Sequence, residues 1–347
     1  MRRTILRAGA ALLAGCSLAA AFAQSPAVNP KEADYAKEQQ AQQVTQPLNN
    51  QPLWTEIRSG LPQFTSLPGR ETNILIQPQG QTWRALRNGQ LSVYGGWVLV
   101  LVVLAIAAFY WRRGTIPVHA APTGRRFRRF TTGQRIIHWA MAASFVILAL
   151  SGLAILFGKN VLLPLIGYTL FSWLAILSKN LHNFVGPVFV VCTVVMFVLY
   201  VRENFPQAGD LRWLTKLGGM FGGKEMPSWK FNAGEKLWFW GGVVVLGIAV
   251  GASGLVLDFP NFDQTRATMQ LANVVHLIAA TLFMAAGLGH IYLGTIGMAG
   301  TYDAMRTGYV DETWAREHHE YWYQEMKGRL PADEHDAHAP EIRHRPA

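Results

Sequence analysis

Polar and apolar positions along this chain separate into long uncharged runs divided by short charged stretches. Leu91 to Tyr110 is twenty residues without a charge, and Ile136 to Phe157, Leu181 to Val201 and Leu237 to Leu257 follow it. A last run extends from His276 to about Met298. A helix needs about 20 apolar residues to cross a hydrocarbon core roughly 30 Å thick, so the pattern predicts five membrane spans. Val161 to Leu177 is also apolar, but Pro164 and Gly167 interrupt it. A full span there would invert everything downstream, and it reads instead as a bent or interfacial piece on the outer side.

The short loops set the orientation. Seven basic residues (Arg112, Arg113, Arg125, Arg126, Arg128, Arg129, Arg135) lie between the first two spans. Six (Arg202, Arg212, Lys216, Lys224, Lys230, Lys236) lie between the third and fourth. The opposite loops hold Lys159 with Lys179, and Arg266. The basic loops and the C-terminal tail are therefore expected in the cytoplasm, with the N-terminal segment in the periplasm of a bacterial inner membrane. This placement also explains the net charge of +10. The basic residues cluster at span ends rather than along a stripe, which argues against nucleic acid as a partner.

The N-terminus agrees. Arg2, Arg3 and Arg7 precede an apolar Ala8–Ala21 run, and Ala21-Phe22-Ala23 fits a small-residue cleavage site. Cys16 offers a lipoprotein alternative, although the apolar run continues past it. Cleavage after Ala23 leaves Cys192 as the single cysteine, so no disulfide or iron–sulfur site can form within the mature chain. Residues 24–90 are rich in Gln, Pro, Asn and Ala, with a short structured part expected near Trp54 to Leu61.

Four histidines carry the candidate chemistry. His276 and His290 share the segment Ala267–Tyr302, which contains no Asp, Glu, Lys or Arg. Fourteen residues at about 1.5 Å rise separate them by roughly 21 Å, and steps of about 100° bring them within roughly 40° on one helix face. His138 begins the second span at its cytoplasmic end, and His182 the third at its periplasmic end. Two histidines at each surface are what two six-coordinate haems need, which predicts the axial pairs His138 with His290 and His182 with His276. C-x-x-C-H is absent, so the haems would be b-type. Gly287 and Gly294 on the His290 face, and Gly186 beside His182, supply clearance for a flat macrocycle or for close helix packing. The competing reading of each histidine is a hydrogen bond to a neighbouring helix.

The residues around these histidines resemble the cytochrome b (gamma) subunit of respiratory formate dehydrogenases. Arg128-Arg-Phe-Thr-Thr-Gly-Gln-Arg-Ile-Ile-His138-Trp, Leu181-His182-Asn-Phe-Val-Gly-Pro187 and Lys230-Phe-Asn232-Ala-Gly234-Glu-Lys236 carry the likeness. So do His276 followed by His290, and Gly308-Tyr-Val-Asp-Glu-Thr-Trp314-Ala-Arg-Glu-His318-His319. The match covers about residues 125–327. It implies a four-helix di-haem cytochrome that anchors an iron–sulfur (beta) subunit and a molybdenum or tungsten catalytic (alpha) subunit, and that delivers electrons to quinone. It also implies a quinone role for Asn232 and Gly234. Asn232 with Glu235 equally has the pattern of a helix N-cap. Residues 1 to about 120 depart from the family and bring their own span.

The expected architecture is thus all-α, an integral membrane four-helix di-haem cytochrome b bundle plus one extra N-terminal transmembrane helix. It divides into a signal peptide (1–23), a partly disordered periplasmic extension (24–90), the extra helix (91–111), a cytoplasmic linker (112–130), the di-haem domain (131–300) and a cytoplasmic tail (301–347). Arg128, Arg129, Arg135 and Lys179 are candidate partners for haem propionates. His318 and His319, among Trp314, Tyr321, Trp322 and Tyr323, read as an amphipathic surface helix or packing lid rather than a metal site. Alternatives are the cytochrome b subunit of a hydrogenase or thiosulfate-type reductase, and a haem-free transporter or assembly anchor. The last would need ionisable groups along a central path, where these spans hold essentially only histidine.

Overall fold

A computed structural model describes residues 78–220, 225–262 and 264–327, with short backbone pieces at 63–64 and 74–76 and a few isolated positions before them. The cleavage signal, nearly all of Trp54–Leu61, and His335, His338 and His344 lie outside the described residues. The chain is all-α, and its described residues hold five helices long and apolar enough to cross a membrane. These are α1 (Gln79–Arg113), α2 (Thr132–Val161), α3 (Leu163–Glu203), α5 (Ala233–Asp258) and α6 (Arg266–Gly297). A short α4 (Asp210–Thr215) lies between α3 and α5. After α6 come α7 (Thr301–Thr307), α8 (Glu312–His318) and α9 (Glu320–Lys327). Two small antiparallel ladders pair β1 (Gln63–Phe64) with β2 (Ile74–Ile76), and β3 (Arg126–Arg128) with β4 (Tyr309–Asp311).

Local chemistry fixes where the spans begin. Thr131 is extended at φ −73° and ψ 161°, its hydroxyl accepts the Gln134 N–H at 3.2 Å, and the Gln134 side chain accepts the Thr131 N–H at 3.0 Å. This capping box satisfies two backbone donors just where the apolar run starts. Asn232 and Glu235 build the same box ahead of α5, with both bonds at 2.9 Å. Thr265 accepts the Thr268 N–H at 3.2 Å at the start of α6. On the outer faces Leu150, Phe184, Val194 and Val198 are exposed, as side chains facing lipid should be.

Three details differ from the pattern of apolar runs. α1 begins at Gln79 rather than Leu91, because the polar residues after Pro78 extend a helix that the apolar run has already nucleated. Val161–Leu177 is not a separate piece. Val161 closes α2, and from Leu163 the run forms the bent start of α3, with Pro164 in the first turn and the break at Gly167, whose φ of 75° suits only glycine. From Tyr168 to Tyr200 the helix is continuous, roughly 50 Å at 1.5 Å per residue. Wider π-helical turns also interrupt the α-period at Leu86–Leu91, Trp238–Leu246 and Leu293–Gly297.

Two compact units emerge, Met1–Gly95 with Ser253–Ile278, and Gly96–Ala252 with Ala279–Ala347. In the second, α2 and α3 share the most extensive packing. Its core joins Met141, Phe189, Met196, Phe239 and Phe283 from the spans to Phe127, Phe130, Phe231, Trp314, Trp322 and Tyr323 from the loops and tail. The β3–β4 ladder zips the 126–128 loop to the tail, and Glu317 accepts the N–H groups of His119 and Ala120 at 2.8 Å each.

Candidate functional site

His138 and His290 face one another, with ring centres 6.2 Å apart and planes inclined by 60°. Two imidazoles that bind one ion from opposite sides, with metal–nitrogen bonds of about 2 Å, have ring centres about 6 Å apart. The spacing therefore fits a bis-histidine haem iron. His138 is half-buried and its Nδ1 is a buried nitrogen without a hydrogen-bond partner, while His290 is accessible. The His290 ring lies on the indole of Trp238, centres 4.8 Å apart and planes within 13°. Nothing in the span pattern singled out Trp238.

His182 and His276 are half-buried within their helices and have a common setting. The Ser151 hydroxyl lies 2.9 Å from His182 Nδ1, and the Ser253 hydroxyl 3.2 Å from His276 Nδ1. The glycine after each serine lets the imidazole approach. A Cβ at Gly152 would stand 3.2 Å from His182 Cε1, and one at Gly254 3.2 Å from His276 Cε1. The signal was present as a repeated Ser-Gly-Leu, at 151–153 and 253–255, but it is too short to notice without the structure. Of the three glycines read as clearance, Gly186 and Gly294 have open space where a Cβ would point. Gly287 does not, since a Cβ there would meet the Phe145 ring at 2.9 Å. Gly287 is a packing glycine.

Asn232 is half-buried and lines a shallow open cleft, together with Trp213, Leu217, Met220, Met226 and Glu235. Its Oδ1 is committed to the helix cap, so the capping reading of this residue holds. Gly234 has a packing reason to be glycine, because a Cβ would approach the Trp213 ring to 3.0 Å. Glu235 ties the cleft to a set of ion pairs beside it. Arg129 reaches both oxygens of Glu235, at 2.9 and 3.0 Å, and the Lys230 carbonyl at 2.8 Å. Its guanidinium also lies over the Trp314 ring, 5.0 Å from the centroid. Lys230 pairs with Glu203 at 2.5 Å, and Lys236 with Asp210 at 2.8 Å.

Several basic and tail residues have partners that the sequence did not indicate. Arg129 is buried on Glu235, and Arg135 donates to the carbonyls of Met305 and Arg306, so both are engaged in tying loops together rather than held out for a propionate. Arg128 and Lys179 are exposed. His318 and His319 are not on a surface helix. Both are buried, with His318 paired to Glu225, and His319 Nδ1 2.6 Å from the Trp229 carbonyl and 3.1 Å from the Ser228 hydroxyl. Trp314, Trp322 and Tyr323 enter the core beside them, which is the packing-lid alternative. Among the described residues no group of three His, Cys, Asp or Glu could hold a metal ion.

The family described as prokaryotic cytochrome b561 matches residues 129–308. The formate dehydrogenase cytochrome b556(fdo) subunit of Escherichia coli K12 is 30% identical over 203 residues, covering 57% of this chain and 92% of the relative. The nitrate-inducible cytochrome b556(Fdn) subunit of the same organism is 27% identical, over 56% of this chain and 88% of its own length. The formate dehydrogenase cytochrome b556 subunit of Haemophilus influenzae is 24% identical, over 58% and 83%. The matched region holds His138, His182, Asn232, His276 and His290 and leaves the N-terminal 128 residues aside. This chain belongs to the prokaryotic cytochrome b561 family of membrane cytochromes.

Proposed function

We propose that this chain is the membrane-anchoring, di-haem cytochrome b subunit of a formate dehydrogenase. The facing pair His138 and His290, 6.2 Å apart, carries the reading. Each b haem, when bound, supplies a one-electron carrier, so that electrons from a periplasmic iron–sulfur subunit, itself fed by a molybdenum or tungsten catalytic subunit, cross the membrane to quinone. His138 and His290 hold one iron, and His182 and His276 hold the other. The basic loops 112–135 and 202–236 lie in the cytoplasm, and the N-terminal segment lies in the periplasm.

Quinone binds at the cytoplasmic cleft beside Asn232 and Gly234. The cap uses only the Oδ1 of Asn232, so its Nδ2 amide can donate to a quinone oxygen at the same time. α5 opens at Asn232 and places Trp238 against His290 one and a half turns later, which couples the cleft to the His138/His290 pair through one rigid helix. The apolar rings and thioethers of Trp213, Met220 and Met226 suit a hydrophobic quinone.

Purification from the native membrane tests the proposal. The chain should copurify with an iron–sulfur subunit and a formate-oxidising subunit, and haem analysis should return two b haems per chain, reducible by formate. One haem or none, or copurification with a hydrogen-oxidising partner, would replace this reading.

A further inference from the structure

The serines beside His182 and His276 are placed to do more than pack. Ser151 is within hydrogen-bond distance of two groups, the Leu148 carbonyl at 3.2 Å and His182 Nδ1 at 2.9 Å. A hydroxyl has one proton, and a carbonyl can only accept. With that proton on Leu148, Ser151 accepts from His182 Nδ1–H, which leaves Nε2 as the unprotonated nitrogen. The Ser253 hydroxyl lies 3.2 Å from His276 Nδ1, again one residue ahead of a glycine whose Cβ would meet the imidazole. Two different helices thus present an identical Ser-Gly step to two histidines. The other pair is set differently, with His138 Nδ1 buried and unbonded and His290 stacked on Trp238.

We propose that Ser151 and Ser253 are positioning residues that fix the tautomer of His182 and His276 and lower the potential of the haem these histidines hold. The proposal rests on the ligand assignment made above. A hydrogen bond accepted from Nδ1–H orients a ligating imidazole and raises its basicity. A more basic axial ligand stabilises the ferric over the ferrous state, one of the levers by which a protein sets haem potential. Placed on one haem and not the other, the bond makes the His182/His276 haem the lower-potential member and sends electrons toward His138/His290.

The test is a potentiometric titration of the assembled complex carrying Ser151→Ala, Ser253→Ala or both, read by haem absorbance and by the low-temperature ferric resonance signal. One hydrogen bond is worth roughly two- to tenfold in an equilibrium. Each variant should therefore raise the lower-potential haem by that factor in its ferric-to-ferrous ratio, up to about 59 mV for one electron. Both variants should move the same haem and the double variant should move it further, with the other haem unchanged. Ser151→Thr and Ser253→Thr keep the hydroxyl and should restore the wild-type potential. Two haems at unaltered potentials in the alanine variants would overturn the inference and leave the ligand assignment standing. A shift in the haem lost on replacing His138, or separate haems responding to the two serines, would instead overturn the assignment. If alanine variants lose haem, threonine variants that retain it support the hydroxyl's role, and threonine variants that lose it equally refute it.

Discussion

The imidazole of His290 lies nearly parallel to the indole of Trp238, with ring centres 4.8 Å apart. Aromatic stacking contributes about 0.5–1.5 kcal/mol beyond burial, and here it also limits rotation of a proposed iron ligand. Trp238→Leu should weaken haem retention at His138/His290 by about two- to tenfold. Haem transfer to an apo-globin acceptor, followed spectrally, checks this. Equal loss from both haems would mean general loosening rather than loss of the stack.

Asn232 has two jobs in this reading, and a single change separates them. Asn232→Ser keeps a good N-cap acceptor but withdraws the amide donor. Stability of α5 should be nearly unchanged, while quinone-dependent haem reoxidation should slow about two- to tenfold at sub-saturating quinone. Stopped-flow reoxidation with a soluble quinone measures this, and an unaltered rate would leave Asn232 with its cap alone.

Arg129 and Glu235 form an ion pair in which the guanidinium is buried and the carboxylate half-buried, with side chains 1% and 32% exposed. Removing one partner from a buried pair costs up to about 3–5 kcal/mol, whereas replacing both with neutral residues of similar volume is often neutral. Glu235→Ala should therefore lower the unfolding midpoint in detergent markedly, because it strands a buried guanidinium and breaks the helix cap. Arg129→Met with Glu235→Gln should recover much of that loss, and a double-mutant cycle gives the coupling.

Burial, and then the charge of Arg129, hold the His319 imidazole well below its ordinary value of 6.5, while the Trp229 carbonyl opposes them and His318 adds to them. The unfolded chain takes up a proton below pH 6.5 that the folded chain refuses, so stability falls as pH drops through that value, by up to about 1.4 kcal/mol per unit. Glu317 contributes in a different window. Burial raises it, but the hydrogen bonds from His119 and Ala120 outweigh burial and hold it below 4.5. Its stabilisation is complete above 4.5 and is lost only as pH falls further. His319→Asn should flatten the thermal-stability profile between about pH 4.5 and 6.5, and an unchanged slope would assign that slope to another group.

Gly287 and Gly294 should respond oppositely. Gly287→Ala pushes a methyl to 2.9 Å from the Phe145 ring and should cost about 1–3 kcal/mol of stability. Gly294→Ala meets nothing within 4 Å in the chain itself. It should leave stability of the haem-free protein intact, with any loss confined to haem occupancy at His138/His290, measured by pyridine haemochrome.

The spans were legible because charge is absent from them and concentrated at their ends. The helix cap at Asn232 was legible for a local reason, since a cap needs only residues three apart, and the same pattern at Thr131 and Gln134 passed unread. The burial of His319 was not. Its neighbours Ser228 and Trp229 are about ninety residues away in the chain, and a tail rich in His, Glu and aromatic residues has the composition of a surface helix. Arg129 misled in the same way. A positive charge near a span end reads as topology until its carboxylate partner, 106 residues on, is brought beside it. The serines at 151 and 253 were hidden by apolar surroundings in which a small polar residue carries no periodic signal.

The π-helical stretch Trp238–Leu246 gives α5 a mechanical property. A π-helix holds more residues in each turn than an α-helix, so chain length here is stored as winding. A residue deleted from the stretch would be absorbed as the winding relaxes toward α-geometry, and the flanking residues would keep nearly their directions. A residue deleted from the regular turns at Gly247–Val250 has no such slack, and would swing Asn232 and Trp238 by about 100° about the axis. The π-stretch is therefore a reserve that shelters the aim of Trp238 at His290 from the loss of a single codon within it.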